Sequence, residues 1–161
     1  MTTQTSAEGD HRIVVGVDGS DPSKSALGWA IRQGRLTGAT VEAVIAWEFP
    51  ASYGYPVPVP ASVDFEELAW EVITTAIADV SDPDERAKIR PAVVEGNAAR
   101  VLVDAAAGAD LLVVGSRGHG GFVEALLGSV SQHCVHYAPC PVVIIRDSVA
   151  GTPTGHPDVA Q

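Results

Sequence analysis

The chain has 161 residues, twenty acidic against ten basic side chains, a formal charge of −10 and an aromatic content of 6%, which suits one domain that buries a core without disulfides or metal. Phosphate backbones are held mainly by Lys and Arg, so this balance speaks against nucleic-acid binding, and solubility accounts for the charge. No run of eighteen apolar residues and no leader-like N-terminus occurs, so a soluble, cytoplasmic protein with no membrane partner is expected.

Residues 1–10 are rich in Thr, Ser and Gly and are expected to form a disordered tail, with the folded domain spanning 11–147 and a second disordered, Gly/Pro/Thr-rich tail over 148–161. Arg12 to Asp18 reads as a continuous apolar strand that ends in the turn signal Asp18-Gly19-Ser20. Asp21-Pro22 then supplies an expected N-cap and a proline at the first helical position. In the helix that follows, Ala26, Leu27, Ala30, Ile31 and Gly34 recur at three- and four-residue spacing, and Gly38 is the expected stop. Thr40 to Trp47 is a second strand. The connection 49–61 carries Pro50, Pro56, Pro58 and Pro60, which exclude helix and central strand; it is read as a surface loop, with a lid as the alternative.

Asp64 to Val80 is the clearest helix, with Asp64 as N-cap, Glu67 at the capping-box position, and Phe65, Leu68, Ala69, Val72, Ala76, Ile77 and Val80 on the inner face. Lys88 to Glu95 is a third strand, placed at a sheet edge by Pro91. Gly96-Asn97 caps a third helix, Ala98 to Ala107, with Leu102, Ala105 and Ala106 inward. Asp110 to Val114 is a short buried strand, followed by the glycine-rich stretch Gly115 to Ser129, a fourth helix from Ser129 to Tyr137, and a fifth strand over 142–146. Cys134 and Cys140 are too close and too few to make a disulfide framework and are read as reduced thiols.

Strands alternating with helices imply an α/β fold: a five-stranded, doubly wound parallel sheet flanked by four helices. Unusual turns end strands one and four, and in open α/β sheets ligands bind beyond the carboxyl ends of strands where the winding reverses. If both turns serve one ligand, the order is 3-2-1-4-5. The only lysines are Lys24 and Lys88, no Gly-x4-Gly-Lys-Ser/Thr occurs, and the first turn lacks Gly-x-Gly-x-x-Gly, so neither a P-loop nor a Rossmann site is present. Phosphates would be held by backbone amides of Gly118, Gly128 and Ser129, the hydroxyls of Ser129 and Ser131, and the fixed charge of Arg117.

The spacing Gly115-x2-Gly118-x9-Gly128-Ser129 resembles the Gly-x2-Gly-x9-Gly-Ser/Thr motif of ATP-binding members of the universal stress protein family. The resemblance extends to Val14–Ser20, Gly128–His133 and Pro139–Val143 and covers roughly Arg12 to Arg146. It implies the sheet order deduced above and a homodimer in which the final strand, 142–146, pairs antiparallel with its twin. By position, it implies that Asp18 contacts a ribose and that backbone at Gly16, Val17 and Ala46 lies against adenine. Gly115, Gly118, Gly128 and Ser129 would hold phosphates, helped by the Val130 amide and Ser131. Glu124 departs from the small residue expected in relatives and is read as pointing to solvent, with repulsion of the ligand or a part in holding Mg²⁺ as the alternatives.

His133 and His136 share a helix face but lack a third ligand, so helix packing is preferred over metal binding, and His119 is assigned a loop-surface role. The function implied is a regulatory, stress-response module that binds ATP or another adenine nucleotide, with or without Mg²⁺, and acts on an unidentified partner. A slow Mg²⁺-dependent ATP hydrolase and a member that keeps the fold without nucleotide are the alternatives, and no catalytic residue is assigned.

Overall fold

The computed structural model describes residues 10–50, 60, 62–118 and 127–146. Both expected tails apart from Asp10, most of the Pro-rich connection, and the positions of His119, Gly120, Gly121 and Glu124 lie outside the described residues.

Ten elements follow one another: β1 (Arg12–Gly16), α1 (Asp21–Thr37), β2 (Thr40–Trp47), α2 (Phe65–Val80), α3 (Pro83–Arg86), β3 (Ile89–Glu95), α4 (Ala98–Ala105), β4 (Leu111–Gly115), α5 (Ser129–Tyr137) and β5 (Val142–Ile145). The five strands form one parallel sheet in the order β3-β2-β1-β4-β5. β1 is central, with Ile13 level with Val41 on one side and Leu111 on the other. Pro91 sits on the edge strand β3, aligned with Ala43 of β2, where its missing N–H is tolerated.

Side chains alternate across the sheet and build two apolar layers. Ile13, Val15 and Val17 join Val41, Ala43, Ile45 and Val113 beneath α1 and α2. Val14, Val44, Leu112 and Val114 face the other way, against Val101, Leu102 and Cys134 of α4 and α5. A sheet buried on both faces explains why its central strands read as unbroken apolar runs rather than alternating ones. Burial pushes the Cys134 thiol up to about 11, so it is held as a neutral packing group. Among the described residues, both cysteines are free and no helix is long and apolar enough to cross a membrane.

Three helix details differ from the sequence reading. Ser20, not Asp21, is the N-cap of α1: its side chain accepts the Ser23 amide, which puts Asp21 and Pro22 inside the first turn. On α2 the buried stripe is Ala69, Ile73, Ala76 and Ile77, whereas Leu68 and Val72, expected inward, are 47% and 36% exposed. Finally, five helices rather than four flank the sheet among the described residues. The additional one, α3, is a single turn with Pro83 at its start, closed by a reciprocal capping box between Asp82 and Glu85. Gly38 ends α1 as expected, in the left-handed conformation at φ 75°.

Candidate functional site

The winding direction reverses between β1 and β4, and a cavity of about 260 Å³ opens there at their carboxyl ends. Gly16, Val17, Asp18, Ala46, Gly115, Arg117, Gly118, Gly128, Ser129, Val130 and Ser131, each singled out from the sequence, all line this cleft. A second cavity, of about 580 Å³, lies at the opposite end of the sheet, around the starts of β2 and β3 and the end of α1. Although larger, it is away from the strand ends where open α/β sheets bind ligands.

The first wall of the cleft is the turn after β1. The Val17 amide donates to the Val44 carbonyl at 2.9 Å, which carries the backbone beyond β1 alongside β2. Asp18 then folds over the start of α1: its Oδ1 accepts both the amide of Ser20, at 2.9 Å, and the Ser20 hydroxyl. Gly19, at φ 81°, permits that tight reversal. The Asp18 amide donates to the Ser23 hydroxyl at 3.3 Å, and that hydroxyl donates onward to the Ser20 carbonyl at 2.9 Å. Ser23 is 4% exposed, so the turn is knotted to α1 from within.

The second wall comes from β4 and the start of α5. The Gly128 amide donates to the Ser116 carbonyl at 2.8 Å, and the Ser116 amide donates to Ile145 at 2.8 Å, so the chain leaves and rejoins the sheet at one point. At Gly115 an added Cβ would lie 2.8 Å from the backbone carbon of Pro22, which requires a glycine where β4 passes under α1. Gly118 faces Asp18: an added Cβ there would fall on the Asp18 Oδ2.

α5 begins at Gly128, whose φ of −70° and ψ of 161° are ordinary extended values, and it has no side-chain cap. The other four described helices each carry one, from Ser20, Asp64, Asp82 and Asn97. The first intrahelical bond of α5 runs from the Gln132 amide to the Gly128 carbonyl at 3.0 Å, leaving the amides of Ser129, Val130 and Ser131 without an intrahelical acceptor at the rim of the cleft. Such a terminus concentrates positive potential without any lysine.

Ser131 departs from its expected part. Its hydroxyl is buried and donates to the Gly115 carbonyl at 2.7 Å, so its one O–H ties α5 to the end of β4. Arg117 and Ser129 are exposed at the lip. On the outer side of α5, the His133 ring lies 4.5 Å from that of Tyr137, with His136 6.3 Å from Tyr137. Among the described residues no group of three His, Cys, Asp or Glu side chains is placed to hold a metal ion.

The apolar wall escaped the sequence reading. Ser23, Val44, Ala98, Leu102 and Val114 also line the cleft, and Leu102 reaches over the sheet so closely that a Cβ at Gly16 would lie 2.8 Å from its Cδ1. A glycine inside an apolar strand is the one signal that something large approaches it from the neighbouring layer. Taken together, the cleft is lined by apolar side chains beside β1 and β2, by Asp18 and by the uncapped start of α5.

A model of the universal stress protein family matches residues 11–146. A universal stress protein of Thermus aquaticus is 36% identical over 137 residues, covering 83% of this chain and 97% of its own length. One of Mycobacterium tuberculosis is 34% identical over 138 residues, covering 85% of this chain and 46% of its own length; the chain thus spans about half the length of the mycobacterial relatives it matches. Among solved structures, a universal stress protein in complex with cAMP superposes with a TM-score of 0.59 at 26% identity, covering 86% of this chain and 98% of the other.

Proposed function

Because the chain belongs to the universal stress protein family, we propose that it is a regulatory module that binds an adenine nucleotide, ATP first among the candidates, in the cleft between β1 and β4. The observation that carries this reading is the uncapped start of α5, whose first amides have no intrahelical acceptor and which lines one cavity together with Asp18. A phosphate supplies the acceptors those amides lack. Gly115, Gly118, Gly128, Ser129 and the Val130 amide take the phosphates, with Arg117 at the lip; Asp18 takes the ribose. The backbone of Gly16, Val17 and Ala46, with the apolar wall of Val44 and Leu102, takes the flat base. The cAMP complex of a relative supports the adenine assignment. Magnesium arriving with ATP would be held by phosphate oxygens and water.

The regulatory output rests on association. β5 is an edge strand whose four residues are all half-buried, an apolar edge of the kind that pairs with another chain; under this reading the partner is a second copy, in the cytoplasm. Light scattering tests that part: a mass twice the 16.7 kDa of the chain is expected, and a monomer at every concentration and nucleotide load excludes it. The nucleotide reading is tested by calorimetry against ATP, ADP, AMP and cAMP, with a phosphate-release assay on the tightest binder. Saturable binding of at least one and no turnover are expected. No heat from any of the four overturns the reading, and steady phosphate release makes the protein a hydrolase.

A further inference from the structure

Two features of the turn after β1 bear on how Asp18 could work, and neither involves a ligand. The first is the grip of Ser20, whose amide and hydroxyl both donate to Oδ1 of Asp18. A carboxylate whose one oxygen is held by two donors from a single residue loses its freedom to turn about its own axis. The second is the place of the other oxygen. Oδ2 lies against Gly118 on the opposite lip, so close that the backbone there has no room for a Cβ. The backbone at Gly118 does not have the positive φ that favours glycine, so the demand for a glycine is one of space beside that oxygen.

We infer that Ser20 is a positioning residue for Asp18: by occupying Oδ1 it aims Oδ2 across the mouth of the cleft, and discrimination between ribose and its deoxygenated forms depends on that aim. The inference rests on the nucleotide reading above and goes beyond it by assigning sugar specificity to a residue that lies outside the cleft lining. The chemistry is that of a charged acceptor and a vicinal diol. An oriented carboxylate oxygen accepts from a sugar hydroxyl, a bond stronger than a neutral one. A sugar without hydroxyls cannot make that bond and binds less tightly by its worth.

Ser20 also caps α1 through the Ser23 amide, so loss of affinity alone would not separate positioning from folding. The test is therefore a ratio, measured by calorimetry with AMP and 2′,3′-dideoxy-AMP on wild type, Ser20→Ala, Ser20→Gly and Ser20→Thr. Ser20→Gly keeps the amide donor and an acceptable cap, since glycine costs only a few tenths of a kcal/mol at that position relative to serine, and removes only the hydroxyl. Wild type is expected to prefer AMP by about tenfold or more, the scale of one charge-assisted hydrogen bond. In Ser20→Ala and Ser20→Gly the ratio should fall to within about threefold through weaker AMP binding, with dideoxy-AMP little changed, and Ser20→Thr should restore it.

A wild-type ratio retained in both variants that lack the hydroxyl overturns the inference, as does an equal loss for both nucleotides or a failure of Ser20→Thr to restore it. Equal binding of the two nucleotides by wild type overturns it while leaving the nucleotide site standing. Absence of AMP binding by a wild type that binds ATP, ADP or cAMP overturns the inference and leaves the nucleotide site standing; absence of binding to all four removes the nucleotide reading itself, and the inference with it.

Discussion

A methyl group at position 118 would land on a carboxylate oxygen of Asp18, and that collision fixes what the residue does better than its place in a glycine motif. Position 118 is exposed and its backbone is one that other residues adopt, so Gly118→Ala should fold normally. Either the lip or the carboxylate must then move. Adenine-nucleotide affinity is expected to drop by about tenfold, equivalent to about 1.4 kcal/mol, with the melting temperature within a few degrees of wild type, both read on the same preparation by calorimetry. Unchanged affinity would show that the lip and the carboxylate do not cooperate. At this scale the sequence is eloquent about glycines and silent about their reasons. The spacing marks Gly118 for backbone approach to a phosphate, while the folded chain adds a neighbour, Asp18, that is far away in sequence. Ser23 and Leu102 are invisible for the same cause: a serine in a first helical turn and a leucine on an apolar face have ordinary structural duties, and only helix docking turns them toward the cleft.

The elements divide into those whose ends are written in the chain and those whose faces are not. α1, β2 and α5 begin and end close to where their caps, glycines and prolines predict, because caps act through bonds within a few residues. The face of α2 was harder to read. It is apolar around much of its girth, and neighbouring stripes at 3.6-residue spacing differ by a single residue step, so Ile73, fully buried, is easily exchanged for Val72. α3 was missed because a four-residue turn has no period to detect.

α5 offers the sharpest experiment at the level of elements. A Cβ at Gly128 meets only ordinary van der Waals contacts of 3.5 to 3.8 Å, and the backbone is extended, so other residues fit there. Gly128→Asp supplies the missing cap and a negative charge at the positive end of the helix, worth a few tenths to about 1 kcal/mol of stability. The same carboxylate occupies the amides and repels phosphate. Thermal stability is therefore expected to hold or rise while nucleotide affinity falls by about tenfold or more. A variant that is more stable and binds as tightly as before would dissociate the α5 terminus from the ligand.

For the molecule as a whole, topology was the most legible feature. Glycine turns at the ends of β1 and β4 argue that these strands are neighbours, Pro91 sends β3 to an edge, and right-handed crossovers leave little else. Charge is the other global property, and it predicts an unusual salt response. A site lined by lysines binds anions less tightly as salt rises, whereas under the proposed function a chain of net charge −10 repels the nucleotide and the attraction comes from amides at contact distance. Screening weakens the long-range repulsion more than the close contacts. Raising salt from about 20 mM to about 300 mM is thus expected to leave affinity unchanged or increase it; a steep decrease would assign the main attraction to Arg117.

Acid stability has a traceable local part. The Arg12 amide, donating at 2.7 Å, and then His11 hold the Asp110 carboxyl below its ordinary value of 3.8. A folded value lower than the unfolded one means the group stabilises the fold above 3.8 and ceases to do so as pH falls through the lower folded value. Asp110→Asn should accordingly be less stable than wild type near neutrality, with the gap closing in acid. Urea unfolding at a series of pH values measures it, and a gap independent of pH would rule out the ionic contribution. The effect is expected to be small, because the pair is exposed.

The bond between the Gly128 amide and the Ser116 carbonyl has a consequence for how this chain can vary. It fixes the start of α5 against the end of β4, beside the bond from the Ser116 amide to Ile145 of β5. In general, each doubling of the chain length between two fixed ends costs only about 0.6 kcal/mol more. The nine-residue interval between Gly118 and Gly128 is then not a requirement of folding. Insertions and deletions there are expected to cost the fold little, and under the proposed function they are limited by the nucleotide that the two lips would share.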